Sequence, residues 1–205
     1  MTIDIFEKIN EYSSSKHKYN LFFIYPIAAL QFVIIFFEPN MVNKIALFGM
    51  FVFLTISSMQ DFYEKGVYDL FLAPVAIFSL FYQQKNNFFG VLPKDIDKLN
   101  NDVVFYFVVN FFTGSLIILF FIFLSIIISF IKNRDALGEG DFPILFSLGI
   151  VAGKNIHIAL LVMAITALIY FIILKFLLKK DDDHIPLIPF INVGMTFILF
   201  FQGML

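Results

Sequence analysis

The chain has 205 residues, of which 60% are hydrophobic, 31 are Phe and only 15% are charged; its mean hydropathy is +0.89. A soluble domain carries roughly 25% charged residues, so this composition excludes one and points to an all-α integral membrane protein built from spanning helices. The net charge of −2 with no basic tract argues against a nucleic-acid partner, and the absence of cysteine excludes disulfides, thiolate catalysis and Cys-type zinc sites.

Residues 1–20, MTIDIFEKINEYSSSKHKYN, form a polar segment without the layout of a cleavable signal. Ile3, Phe6 and Ile9 could line one stripe of it on a membrane surface; a frayed polar tail is the plainer alternative. Seven apolar segments follow, at Leu21–Phe37, Ile45–Gln60, Val67–Tyr82, Val103–Ile131, Asp141–Gly153, Ile156–Leu178 and Ile185–Gln202. Several fall short of the roughly 20 residues that cross about 30 Å of hydrocarbon. The fifth can span only if ALGEG, residues 136–140, also enters the membrane.

Lys and Arg set the expected orientation. With the N-terminus in the cytoplasm, nine of them fall inside and five outside, which predicts a cytoplasmic N-terminus and an external C-terminus. Asp61, closing the second segment, and Asp141, opening the fifth, then share the cytoplasmic end. No internal repeat or inverted pair of broken helices is visible, which counts against a secondary transporter. His17, His157 and His184 lack metal-ligand spacing, and Gly114-Ser115 does not complete a GxSxG motif. No metal or cofactor is expected.

Two carboxylates brought together in a poorly solvated site cannot both ionise cheaply, so they share a proton. The ionised one can act as general base on a water while the protonated one donates to a scissile carbonyl. Gly138 and Gly140 remove side chains beside Asp141 and permit close approach. Pro143 suits the first turn of a helix, which places the helix start near Asp141. Irregular backbone at ALGEG would need protein or a water-filled cavity around it.

Gly138-Glu139-Gly140-Asp141 matches the GxGD motif of the polytopic membrane aspartic proteases. Residues 61–69, DFYEKGVYD, resemble the first-aspartate motif of type IV prepilin peptidases and archaeal preflagellin peptidases, with Asp61, Lys65, Val67 and Asp69 at the motif positions. IPLIPFI, residues 185–191, is similar to the Pro-x-x-Pro stretch that opens their last helix, here Pro186 and Pro189. The three motifs occur in family order. The resemblance implies a six-helix protease core over residues 45–205, preceded by an extra helix and loop at 21–44. It implies Asp61 and Asp141 as the catalytic pair, with Val67, Asp69, Gly138, Gly140, Pro186 and Pro189 in support. It also implies the substrate: pilin-like or archaellin-like precursors, inserted in the bilayer and cut on the cytoplasmic side just after a short basic leader.

Glu64 and Glu139 are candidate contacts for that leader, against the simpler reading of each as a solvated turn residue. Asp181, Asp182 and Asp183 could attract the leader too, although a solvated loop is the simpler account of them. The chain lacks the cysteine tetrad common in bacterial prepilin peptidases, so cleavage without methylation is expected. Two alternatives stay open. One is a presenilin-like intramembrane protease, although Gln60-Asp61 departs from the Tyr-Asp pair of that group. The other is a proton- or cation-coupled carrier using the same aspartates as relay residues.

Overall fold

The computed structural model describes residues 18–64, 67, 69–83, 103–132, 141–173, 175 and 186–204. Among these the secondary structure is helical: α1 (Lys18–Phe37), α2 (Met41–Glu64), α3 (Asp69–Leu80), α4 (Val103–Lys132), α5 (Asp141–Ala152), α6 (Ile156–Ile172) and α7 (Ile188–Met204).

Local chemistry explains the boundaries. Pro39 has no N–H with which to continue α1. Asn40 then caps α2, its Oδ1 accepting from the Val42 amide at 2.8 Å and the Asn43 amide at 3.3 Å. At the end of α3, Asn110 Nδ2 donates to the carbonyls of Leu80 (3.0 Å) and Tyr82 (2.7 Å), which satisfies oxygens that a helix end leaves unpaired. Between α5 and α6 a 3₁₀ turn, Gly153–Asn155, reverses the chain. Gly153 has φ of 50° there, in the left-handed region that a side chain would strain.

Side-chain pairs give the helix directions. Thr55 meets Gln31, Ser58 meets Asn192, and Asp61 meets Ile188. Helix α2 therefore runs antiparallel to both α1 and α7. Asn43, near the start of α2, exchanges hydrogen bonds with the backbone of Gln83 beyond the end of α3, so α3 also runs opposite to α2. Both α5 and α6 pack on α7, which requires the reversal at Gly153. Thus α3, α5 and α7 all begin at the bundle end that carries Asp61.

Helix α2 packs on α3, α3 on α5, α5 on α7 and α7 on α2. These four form a closed ring, and their core is made by Leu47, Met50 and Leu54 of α2, Leu72 and Val75 of α3, Ile144, Leu145 and Leu148 of α5, and Ile191, Met195 and Ile198 of α7. Helix α1 lies outside in the groove between α2 and α7, α4 lies against α5 and α3, and α6 lies against α7 and α5. The outward faces are apolar, with Phe32, Phe36, Phe112, Phe123 and Phe130 all exposed. Such a surface suits a lipid environment.

Three stretches are long and apolar enough to cross a membrane: Met41–Phe62, Phe105–Phe130 and Asp141–Ile172. The last includes the Gly153 turn, so it supplies two arms rather than one straight rod. The apolar helices at Ile24–Phe37, Leu70–Leu80 and Ile188–Gln202 are shorter. Helix α2 starts earlier and ends later than the hydropathy predicts, which puts Asp61 inside its last turn. Helix α5 starts at Asp141, as Pro143 suggested.

Candidate active site

Asp61 is buried, 6% exposed, in the last turn of α2. Its Oδ2 accepts from the backbone amide of Ile188 at 3.0 Å. Ile188 is the first residue of α7, and a helix leaves its leading N–H groups without intrahelical partners. The carboxylate fills that need and lies against the positive end of the helix dipole. Pro186 and Pro189, both buried, bracket Ile188. Neither offers an N–H, so the turn's donors come from Leu187 and Ile188, and it is the Ile188 amide that meets Asp61. The Pro186–Pro189 turn and the aspartate of the 61–69 motif are thereby brought into direct contact.

Asp141 is half-buried at the first residue of α5. Its helix bears on Asp61 through α3 and α7, because α2 and α5 are diagonal members of the ring. Their relative depth follows from the far end, where Gln202 Nε2 donates to the Ala152 carbonyl at 3.5 Å. From that contact Asp141 lies eleven residues back along α5 and Ile188 fourteen back along α7. At 1.5 Å per residue these are about 16 and 21 Å, so the two aspartates stand within about one helical turn of a common level.

Helix α4 locates that level in the apolar belt. A Cβ on Gly149 would meet Ile117, which sets the register between the antiparallel α5 and α4. Exposed apolar side chains continue along α4 to Phe130, about 7 Å past the level of Asp141 at helical rise. The aspartate level is therefore recessed from the rim of the apolar surface.

Next to Asp61 the bundle is sealed by aromatic rings. Phe62 lies 5.6 Å from Tyr170 and 6.4 Å from Phe190, centroid to centroid, and Tyr170 lies 5.4 Å from Phe190. This trio ties α6 to the Asp61 end of α2 and α7.

Running from Asp61 toward the bundle interior is a buried polar ladder that the sequence reading missed. Asn192 Nδ2 donates to Ser58 Oγ at 3.1 Å. Gln31 Nε2 donates to Asn192 Oδ1 and, at 3.0 Å, to Thr196 Oγ1. Thr55 Oγ1 donates to Gln31 Oε1 at 3.0 Å. Gln31, Ser58, Asn192 and Thr196 are all buried. The ladder makes α1 a bonded part of the Asp61 surroundings. The sequence signal was available in the lone amides Gln31 and Asn192, each set in an apolar run where polar groups need interhelical partners.

Of the other expected site residues, Val67 packs against the core, and for Glu64 and Asp69 the backbone alone is described. Gly138, Glu139, Gly140 and Asp181–Asp183 lie outside the described residues. Among the described residues, no three His, Asp or Glu side chains gather as a metal site. No protein-family model, curated protein or solved structure matches this chain.

Proposed function

We propose that this chain is a membrane aspartic endopeptidase of the prepilin and preflagellin peptidase type. It removes a short basic leader from pilin-like or archaellin-like precursors at the cytoplasmic face, without methylating the product and without a cofactor. Asp61 and Asp141 share a proton and activate the hydrolytic water. Residues 45–205 form the protease core, with α1 as an added helix in a seven-span arrangement whose N-terminus is cytoplasmic.

The observation that carries this reading is the contact between buried Asp61 and the Ile188 amide. It joins two of the three quoted motifs, which lie 127 residues apart. The third supports it by position, since Asp141 opens a helix parallel to α7 at nearly the level of Asp61. A recessed pair of carboxylates at nearly one level is the arrangement that hydrolysis within an apolar belt requires.

A second reading draws on the polar ladder. Ser58, three residues before Asp61, joins Asn192, Gln31, Thr55 and Thr196 in a bonded row inside the bundle, and an ion or proton carrier would use such polar groups. One experiment separates the two. Purified protein in liposomes is given a precursor with a basic leader and one apolar helix, as wild type, Asp61→Asn and Asp141→Asn. A product shortened by the leader, lost in both variants, supports the peptidase. Aspartate-dependent ion flux with no cleavage of any precursor supports the carrier.

A further inference from the structure

Ser57 is fully buried in α2, one turn before Asp61. Among the described residues, its Oγ is the one buried side-chain nitrogen or oxygen with no hydrogen-bond partner. The other buried hydroxyls in these helices behave differently. Ser58 donates to the Leu54 carbonyl at 2.7 Å, Ser79 to Ala76 at 2.8 Å, Thr113 to Val109 at 2.8 Å and Ser147 to Pro143 at 3.0 Å. Each returns its proton to its own helix one turn back. Ser57 does not make that bond.

We infer that Ser57 and Asp61 hold a buried water between them. Residues four apart on a helix face each other, with Cβ atoms about 5–6 Å apart, a gap that one water spans with two hydrogen bonds of about 2.8 Å. A buried water needs at least two polar partners. The Ser57 hydroxyl supplies one. The Asp61 carboxylate supplies the other: its two oxygens accept at about four positions, so it can take a water alongside the bond from the Ile188 amide. Leu54 and Phe62 on the same stretch of α2 are apolar and buried. A buried polar group without a protein partner is where ordered water is expected in a folded interior.

The presence of this water is independent of the proposed function; its use rests on that reading. If Asp61 is a general base, a water already bonded to it is the molecule it deprotonates, and Ser57 then touches the reacting group.

The test is a structure at water-resolving resolution together with infrared spectroscopy of the full chain in lipid. The Asp61 carboxyl band is recognised by its loss in Asp61→Asn. Wild type should show a water within hydrogen-bond distance of both Ser57 Oγ and Asp61. Ser57→Ala should lose that water, shift the Asp61 band and unfold no more easily than wild type, since it removes an oxygen that bonds nothing else. Ser57→Thr, keeping the hydroxyl, should restore the band. A dry Ser57 in wild type, or an Asp61 band unmoved by Ser57→Ala, overturns the water. In the leader-cleavage assay, Ser57→Ala should lower kcat by about a hundredfold with KM unchanged, as misplacing a reactant does. Normal cleavage with the water gone overturns its part in the reaction. Failure of wild type to cleave any precursor counts against the peptidase and leaves the spectroscopic test of the water standing.

Discussion

The Ile188 amide donates to the Asp61 carboxylate at 3.0 Å, so a side chain at the end of α2 caps the helix that begins 127 residues later. The contact serves two purposes at once. It satisfies a donor that α7 cannot satisfy itself, and it fixes the carboxylate at the bundle end where α3, α5 and α7 begin. Loss of the acceptor oxygen is therefore felt in stability, and loss of the carboxylate in whatever chemistry it performs.

Asn and Ala substitutions separate those effects. Asp61→Asn retains an oxygen that accepts from Ile188 and should unfold near the wild-type temperature. Asp61→Ala leaves the amide without a partner and should cost about 1–2 kcal/mol. Both should abolish leader cleavage, as should Asp141→Asn. Thermal unfolding in detergent reads the first contrast and the cleavage assay the second. Near-normal turnover in Asp61→Asn or Asp141→Asn would remove that residue from the proposed catalytic pair.

Gln31 links three helices through one side chain. Gln31→Leu keeps the volume but strands Asn192, Thr55 and Thr196, and it should destabilise by about 1–3 kcal/mol, toward the lower figure if water or lipid-phase partners compensate. Combining it with Asn192→Leu should cost less than the two singles added together, because each single already breaks their shared bond. Simple additivity in that double-mutant cycle would show the ladder to be energetically idle.

Helices α6 and α7 approach closely at Gly194. A Cβ built there would sit 2.8 Å from the Ala159 carbonyl oxygen, and a backbone atom cannot swing aside. Gly194→Ala should push the helices apart and cost about 1–3 kcal/mol, in the range of overpacked cores. An unchanged unfolding temperature would mean that α6 shifts freely.

At the opposite end of the bundle, burial raises the Tyr82 hydroxyl well above its ordinary value near 10, and the negative charge of Glu38 adds to the effect. The folded state thus keeps a proton that the unfolded chain releases above pH 10. Stability from this group is complete below pH 10 and falls as pH rises beyond it. Tyr82→Phe should flatten that alkaline loss, measured as unfolding temperature between pH 9 and pH 11. Parallel curves for the two proteins would contradict it.

The helices themselves were legible in the sequence because hydropathy is a local property. Runs such as Val103–Ile131 leave little choice between helix and anything else in lipid, and α4 occupies Val103–Lys132. Pro143 marked the start of α5 through its missing N–H. Boundaries were less legible where polar residues continue a helix, as Asp61 to Glu64 do in α2.

Which faces meet was decided only by the tertiary structure. Helices such as α1 and α5 are apolar almost all round, so no stripe of polar residues tells their inner face from their outer one. The sequence therefore determined a membrane-type, all-helical chain carrying two separated aspartates with Gly and Pro motifs beside them. The packing decided that α2 and α5 stand diagonally, that Asp61 caps α7, that Gln31 reaches Asn192 across α1, and that Ser57 is buried without a partner. Those relations depend on helix rotation and register between distant segments, and chain spacing carries neither.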